Sequence, residues 1–184
     1  MSLQNIFSLP LIRYKIHNWG QVKKEFKKVL PKLDKSLLKD DIYTDYFLND
    51  LELPSYSDKI LSTIKPYLAD LSQNNRIYIT DMWFQTALRG MNHTCHNQWL
   101  GWSAIIYVDY DITCHTATKF YSPFPDPFNG AVQSYIPTIE EGTLLIFPSN
   151  IVHEALPNTS DIPRTIISFN LTNQKQTIKK VLFD

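Results

Sequence analysis

The chain has 184 residues, of which 43% are apolar, 13% aromatic and 20% charged, a composition suited to folded globular structure and not to a disordered tail or a fibre. Its 18 Lys and Arg balance 18 Asp and Glu, so net charge gives no reason to expect nucleic acid or an anionic membrane as a partner. Cys95 and Cys114 are too few for a disulfide framework, nothing N-terminal reads as a signal peptide, and the longest apolar runs, Ser103–Val108 and Thr143–Pro148, fall far short of a membrane span. A cytoplasmic location is expected.

Val22, Phe26, Val29 and Leu30 fall on one helical face, and Lys23, Lys24, Glu25, Lys27 and Lys28 form a solvated opposite face. Residues 31–55 are expected to be loops with short turns. Ile60, Leu61, Ile64, Leu68 and Leu71 again have helical spacing, but Pro66 inside the set predicts a kink or two shorter pieces.

From Arg76 onward, short apolar segments separated by turn residues predict antiparallel strands. They are placed near Ile77–Leu88, Ser103–Tyr110, Thr118–Tyr121, Val132–Ile136, Thr143–Phe147 and Arg164–Leu171, with loops at Tyr121–Gly130 and Pro148–Pro163. No repeat or linker divides the chain. The expected architecture is therefore one domain over 1–184, mainly β with N-terminal helices (α+β). Residues 1–75 give helical support, 76–172 a double-stranded β-helix (jelly roll, cupin-like), and 173–184 a C-terminal tail.

His96 and His153 each adjoin a strand segment. In a jelly roll such residues converge at the barrel mouth, where two imidazoles and an oxygen ligand hold Fe(II) and leave positions open for oxidant and substrate. A rival zinc site from His93, Cys95, His96, Cys114 and His115 lacks the paired spacing of a structural zinc knuckle. Alternation along Arg164–Leu171 puts Arg164, Ile166, Ser168 and Asn170 on one face, as for a strand lining a polar pocket.

The segment from Gly142 to Arg164 reads GTLLIFPSNIVHEALPNTSDIPR and continues TIISFN. It resembles the C-terminal signature of the 2-oxoglutarate and Fe(II)-dependent dioxygenase superfamily: a strand ending in Phe-Pro-Ser, a histidine, and an arginine further on. Upstream, Trp83, Gly90 and His96, followed by Ser-Ala-Ile-Ile-Tyr-Val, are similar to the first half of the same core. The resemblance spans about residues 76–172 and is nearest to an uncharacterised bacterial and phage branch.

The resemblance implies that His96 and His153 bind iron and that Arg164 grips the distal carboxylate of 2-oxoglutarate, the cosubstrate. It departs from the pattern two residues after His96, where Gln98 stands in place of Asp or Glu. Gln98 is then either an amide-oxygen ligand or a place left to water or another anion. His93 is the alternative register for His96. Ser168, Gln85 and Tyr107 are candidates for contacting the cosubstrate or substrate, Trp83 shares the face of Gln85, and Trp99 and Trp102 either wall a cleft or pack in the core.

The implied activity is hydroxylation of a small-molecule or peptidyl substrate that the sequence does not name. Two alternatives stay open: a non-catalytic jelly-roll binding module that has lost the acidic ligand, and a cupin-like metalloenzyme without 2-oxoglutarate.

Overall fold

The computed structural model describes residues 8–48, 52–72, 76–98, 101–173 and 180–183. Along them run β1 (Ile12–Lys15), α1 (Trp19–Val29), β2 (Leu38–Lys39), β3 (Ile42–Thr44), α2 (Ser57–Ser72), β4 (Ile77–Ala87) and β5 (His93–His96). Then follow β6 (Trp102–Asp109), β7 (Lys119–Pro125), β8 (Val132–Tyr135), β9 (Thr143–Pro148), β10 (His153–Ala155), β11 (Arg164–Thr172) and β12 (Lys180–Phe183). Single 3-10 turns sit at Lys35–Leu37 and Tyr46–Leu48.

The larger sheet has the order β1-β9-β6-β11-β4-β3-β2, with β12 also paired to β4, and the smaller has the order β5-β10-β7-β8. Every pairing is antiparallel. This is the expected jelly roll with helical support.

The central strands are buried on both faces, and the period of two decides which core each residue joins. On β6, Ala104, Ile106 and Val108 join Phe26 of α1 and Ile60, Ile64 and Leu68 of α2 in the core beneath the helices. Ile105 and Tyr107 point the other way, into the barrel, where they meet Phe120 of β7 and Leu145 and Phe147 of β9. β11 divides in the same manner: Ile167, Phe169 and Leu171 go to the helices, and Ile166 packs against the barrel interior.

On β4 the alternation changes phase. The ladder pairs Asn170 with Asp81 and Leu171 with Ile79, passing over Thr80. A bulge of one residue exchanges the two faces, so Ile77 and Ile79 before it, and Met82 and Phe84 after it, all reach the helix-side core. Trp83 and Gln85 are thereby aimed into the barrel mouth.

α1 ends where Leu30 becomes extended (φ −65°, ψ 142°), as a residue preceding proline must. Its last turn carries Lys27 and Lys28, favourable charges at a helix C-terminus. α2 runs unbroken from Ser57 to Ser72 with Pro66 inside it, one helix and not the two shorter pieces expected as the alternative to a kink. Its apolar stripe of Ile60, Leu61, Ile64 and Leu68, all at most 3% exposed, holds it against the sheet despite the missing proline N–H.

Residues 31–55 contribute more than loops, since β3 lies beside the end of β4, with Tyr43 opposite Thr86 and Thr44 opposite Gln85. β7 extends into the expected Tyr121–Gly130 loop, and β10 lies inside the expected Pro148–Pro163 loop. Among the described residues, no helix is long and apolar enough to cross a membrane.

Candidate active site

The site is built around two very short strands. His153 of β10 lies directly opposite His96 of β5, and Ala155 lies opposite His93, with the register shifting between them. Four residues of β5 therefore span three of β10, with Thr94 and Cys95 together facing Glu154. That bulge brings His93 to the same mouth as His96, although strict alternation would separate them.

The rings form a row, with centroids 4.1 Å apart for His93 and His96 and 4.4 Å apart for His96 and His153. His153 is also packed edge-on against Phe147 at 4.8 Å.

Backbone carbonyls set the tautomers. His96 Nδ1 donates to Thr94 O at 2.7 Å and His153 Nδ1 to Ile151 O at 2.8 Å. A proton on Nδ1 leaves Nε2 with a free lone pair, the state of an imidazole ready to bind a metal. Burial, the largest influence, pulls the pKa of His153 down to about 4 against the Ile151 hydrogen bond, with the neighbouring histidines adding to the fall. His93 is also lowered to about 4, by burial and then by His96. Both are neutral at ordinary pH, as ligands for Fe(II) must be.

His93, His96, His153 and Gln98 border a cavity of about 20 Å³, room for an ion or a single water. Among the described residues, no group of three or more His, Cys, Asp or Glu is already set to hold an ion, and no carboxylate borders this cavity. The donors present are imidazoles and amides. That donor set, the size of the cavity and the two lone pairs left by the carbonyl anchors fit a divalent transition metal bound by His96 and His153.

Gln98 reaches the cavity, but its Oε1 accepts from Ser103 Oγ at 2.9 Å. Ser103 Oγ is equally close, 2.9 Å, to Ser149 Oγ and Asn170 Oδ1. A serine hydroxyl has one proton to donate. At least one of the two amides must therefore present its NH₂ to Ser103 Oγ. This network holds Gln98 in place as a neutral group. Gln85 contacts His93, its Nε2 lying 2.9 Å from Nδ1.

Arg164 opens β11 on the barrel-facing side and is 5% exposed. Nη1 donates to Thr116 O and Nη2 to Leu156 O, each at 2.8 Å. Neither acceptor is charged, and among the described residues no carboxylate pairs with it. Burial pulls its pKa below the ordinary value, opposed by Tyr107 and Tyr110. Two carbonyls use two of five guanidinium protons, which leaves a buried cation with donors to spare.

Tyr107 is buried deeper, its hydroxyl 2.9 Å from Thr118 Oγ1 and accepting from Thr118 N at 3.2 Å. Its oxygen is already engaged within the barrel. Ser168 and Gln85, by contrast, both border the small cavity.

His115 lies elsewhere, its Nδ1 accepting from Asp111 N and its Nε2 donating to Ile162 O, and this removes it from the rival zinc set. Cys95 is exposed and both cysteines are free. Trp102 packs against the helix-side core, and Trp99 lies outside the described residues.

A larger cavity, of about 260 Å³, shares Trp83, Gln85, His93, His96 and Gln98 with the small one and is walled further out by Tyr46 and Phe47. The sequence reading missed this wall because residues 31–55 carry no periodic pattern. His93, expected only as the alternative register for His96, borders the small cavity together with it.

A family model described as "Putative 2OG-Fe(II) oxygenase" matches residues 81–170, and no curated protein matches the chain. Among solved structures, the chain resembles an oxidoreductase of the 2OG-Fe(II) oxygenase family from Burkholderia pseudomallei at 14% identity. That match has a TM-score of 0.62 and covers 92% of this chain and 87% of that one. It resembles HygX from Streptomyces hygroscopicus, solved with nickel and 2-oxoglutarate bound, at 10% identity and TM-score 0.64, covering 91% and 84%. A Pseudomonas putida prolyl-4-hydroxylase matches at 14% identity and TM-score 0.56, covering 89% and 93%. The family match lies across the strands that carry Trp83, His96, His153 and Arg164, so over residues 81–170 the chain is similar to the 2OG-Fe(II) oxygenases, and it shares the fold of their solved structures.

Proposed function

We propose that this chain is an Fe(II)- and 2-oxoglutarate-dependent oxygenase that hydroxylates a small molecule. The observation that carries this reading is the opposed pair His96 and His153, each with Nδ1 tied to a carbonyl and Nε2 left free beside an ion-sized cavity. Bound iron with 2-oxoglutarate supplies the oxidising chemistry, in which dioxygen is consumed, the cosubstrate is decarboxylated to succinate and a substrate C–H bond is hydroxylated.

The chain's own residues bind and orient. His96 and His153 hold the metal, and Phe147 packed against His153 keeps that ring from rotating. Arg164 supplies a planar fork that takes a carboxylate through two parallel charge-assisted hydrogen bonds, its buried charge being otherwise met, among the described residues, by neutral carbonyls. Ser168 and Gln85 line the path near the metal position. The free cysteines support a reducing, cytoplasmic setting, and the helices packed on the barrel support one domain.

The purified chain should bind Fe(II) and 2-oxoglutarate with mutual dependence and release succinate. Failure of both, in folded protein, overturns the reading. A second reading, a binding module without turnover, is favoured by one observation, that Gln98 is held by Ser103 where a carboxylate would serve the metal. Gln98→Asp separates the two. An attenuated oxygenase gains metal affinity and succinate release, whereas a binding module stays inert.

A further inference from the structure

β5 is an edge strand of the smaller sheet, four residues long, with β10 as its ladder partner. A strand paired on one side is held less firmly than one inside a sheet. The bond from His96 Nδ1 to Thr94 O lies within β5 and moves with it, so it does not by itself fix the ring against the barrel.

His93 supplies a contact across to the larger sheet. Its Nδ1 lies 2.9 Å from Nε2 of Gln85, a residue 5% exposed that stands on β4 between Ile166 of β11 and Thr44 of β3. Gln85 is thus fixed from both sides. The His93 ring in turn lies against that of His96, with centroids 4.1 Å apart and planes 31° from parallel, a nearly stacked pair. The bulge at Thr94 and Cys95 makes this pair possible, because without the additional residue the two rings would face opposite ways.

The tautomer decides what His93 can do. An amide NH₂ only donates, so Nδ1 of His93 accepts and its proton sits on Nε2, the reverse of His96 and His153. The Nδ1 lone pair is taken by Gln85, and Nε2 has none to give. His93 therefore borders the ion-sized cavity without a lone pair for an ion. This agrees with the finding that, among the described residues, no three His, Cys, Asp or Glu are set to hold one.

We propose that His93 is a positioning residue: anchored by Gln85, it buttresses the His96 ring and keeps Nε2 of His96 turned to the metal position. The inference rests on the oxygenase reading for the metal, but the buttress itself does not.

Co(II) is the probe, bound to the full chain and followed by isothermal titration and by its visible absorption. His93→Ala should weaken Co(II) binding roughly tenfold or more, the effect of losing an outer-shell partner. His93→Phe, which keeps a ring against His96 and has no ring nitrogen, should recover most of that loss. Gln85→Leu, which frees the His93 ring, should fall between the two. The visible bands should keep their position and intensity in all of these proteins, because the atoms on the ion do not change.

Imidazole nitrogen NMR of the metal-free chain reads the buttress directly. His93 should carry its proton on Nε2 and His96 on Nδ1, and the His96 ring signals should broaden in His93→Ala and sharpen again in His93→Phe. Loss of affinity in His93→Phe equal to that in His93→Ala, with shifted Co(II) bands, makes His93 a ligand and overturns the proposal. So does a His93→Ala protein that binds Co(II) as the parent does and leaves the His96 signals unchanged; if that parent also binds 2-oxoglutarate, the buttress fails alone. If the parent binds no Co(II) but its His96 signals respond as described, the oxygenase reading fails and the buttress stands.

Discussion

His153 and His96 face each other across the β5 to β10 ladder with their ring centroids 4.4 Å apart, yet the two are held to different degrees. His153 is 5% exposed and packed on Phe147 and Phe120. His96 is only half-buried and is fixed mainly by the Thr94 carbonyl.

Replacing either with alanine should therefore lower affinity for Fe(II), or for Co(II) as a stand-in, by more than about 100-fold, beyond what loss of an outer-shell partner costs. Stability should separate the two. His153→Ala leaves a hole between two phenylalanines and should lower unfolding free energy by about 2 kcal/mol, with His96→Ala within about 1 kcal/mol of the parent. Isothermal titration and urea denaturation check the two halves of this expectation.

The contrast also explains how much of the site was legible in the sequence. β4, β6, β9 and β11 announce themselves because both faces are buried, so nearly every residue is apolar or β-branched. Arg164 is legible through the resemblance of the segment 142–164, and alternation along β11 only puts it on one face with Ser168 and Asn170. β5 and β10 read His-Thr-Cys-His and His-Glu-Ala, too short and too polar to show any period, and their shape comes from pairing with β7 and with each other. The bulge that brings His93 beside His96 is a property of that pairing, so no spacing rule within β5 predicts it. β3 is visible only through its contacts with β4, which decide where Tyr46 and Phe47 stand.

Arg164 should prove sensitive even to conservative change. Arg164→Lys keeps the charge but gives up the planar fork, and 2-oxoglutarate affinity in the presence of Mn(II) should fall at least about tenfold. Arg164→Ala should lose binding altogether. It also strips the donors from Thr116 O and Leu156 O, at a cost of roughly 1–3 kcal/mol for each carbonyl left dry. Cosubstrate titration and denaturation measured on the same two variants would show whether affinity falls in Arg164→Lys before stability does, as a binding role requires.

Gly101 should tolerate no side chain. Its φ is +90°, and a Cβ there would run into the backbone oxygen of Leu171. Gly101 O accepts from Ser149 N at 3.0 Å, and Ser149 O accepts from Gln98 N at 2.9 Å, so displacement here reaches the cavity. Gly101→Ala should cost more than about 2 kcal/mol, the backbone penalty of roughly 1–2 kcal/mol adding to the clash. A thermal melt reads the loss, and an unchanged midpoint would contradict it.

Acid should loosen the seat of α1 on the barrel. Asp109, at the end of β6, pairs with Lys27 at 2.5 Å and with Lys23 at 3.1 Å, and Lys23 also pairs with Glu141 at 2.5 Å. Burial is the largest influence on the Asp109 carboxyl and pushes its pKa up, but hydrogen bonds from Lys27, Thr165 and Lys23 outweigh it and leave the pKa lowered. For Lys23, burial again opposes, and Glu141 and Asp109 raise the pKa.

A carboxyl held lower in the folded than in the unfolded chain stabilises above its unfolded value, near pH 4. That contribution is lost as pH falls through the folded value. The raised Lys23 acts in the opposite direction, its share being present below the ordinary lysine value and lost only as pH rises through the raised one, far from the acid range. The parent should thus lose stability from about pH 4 downward. Asp109→Asn should begin less stable at neutral pH and fall less steeply, so that the two curves converge in acid. Urea unfolding of both proteins across that range measures the difference directly, and parallel curves would show that Asp109 contributes nothing to the linkage.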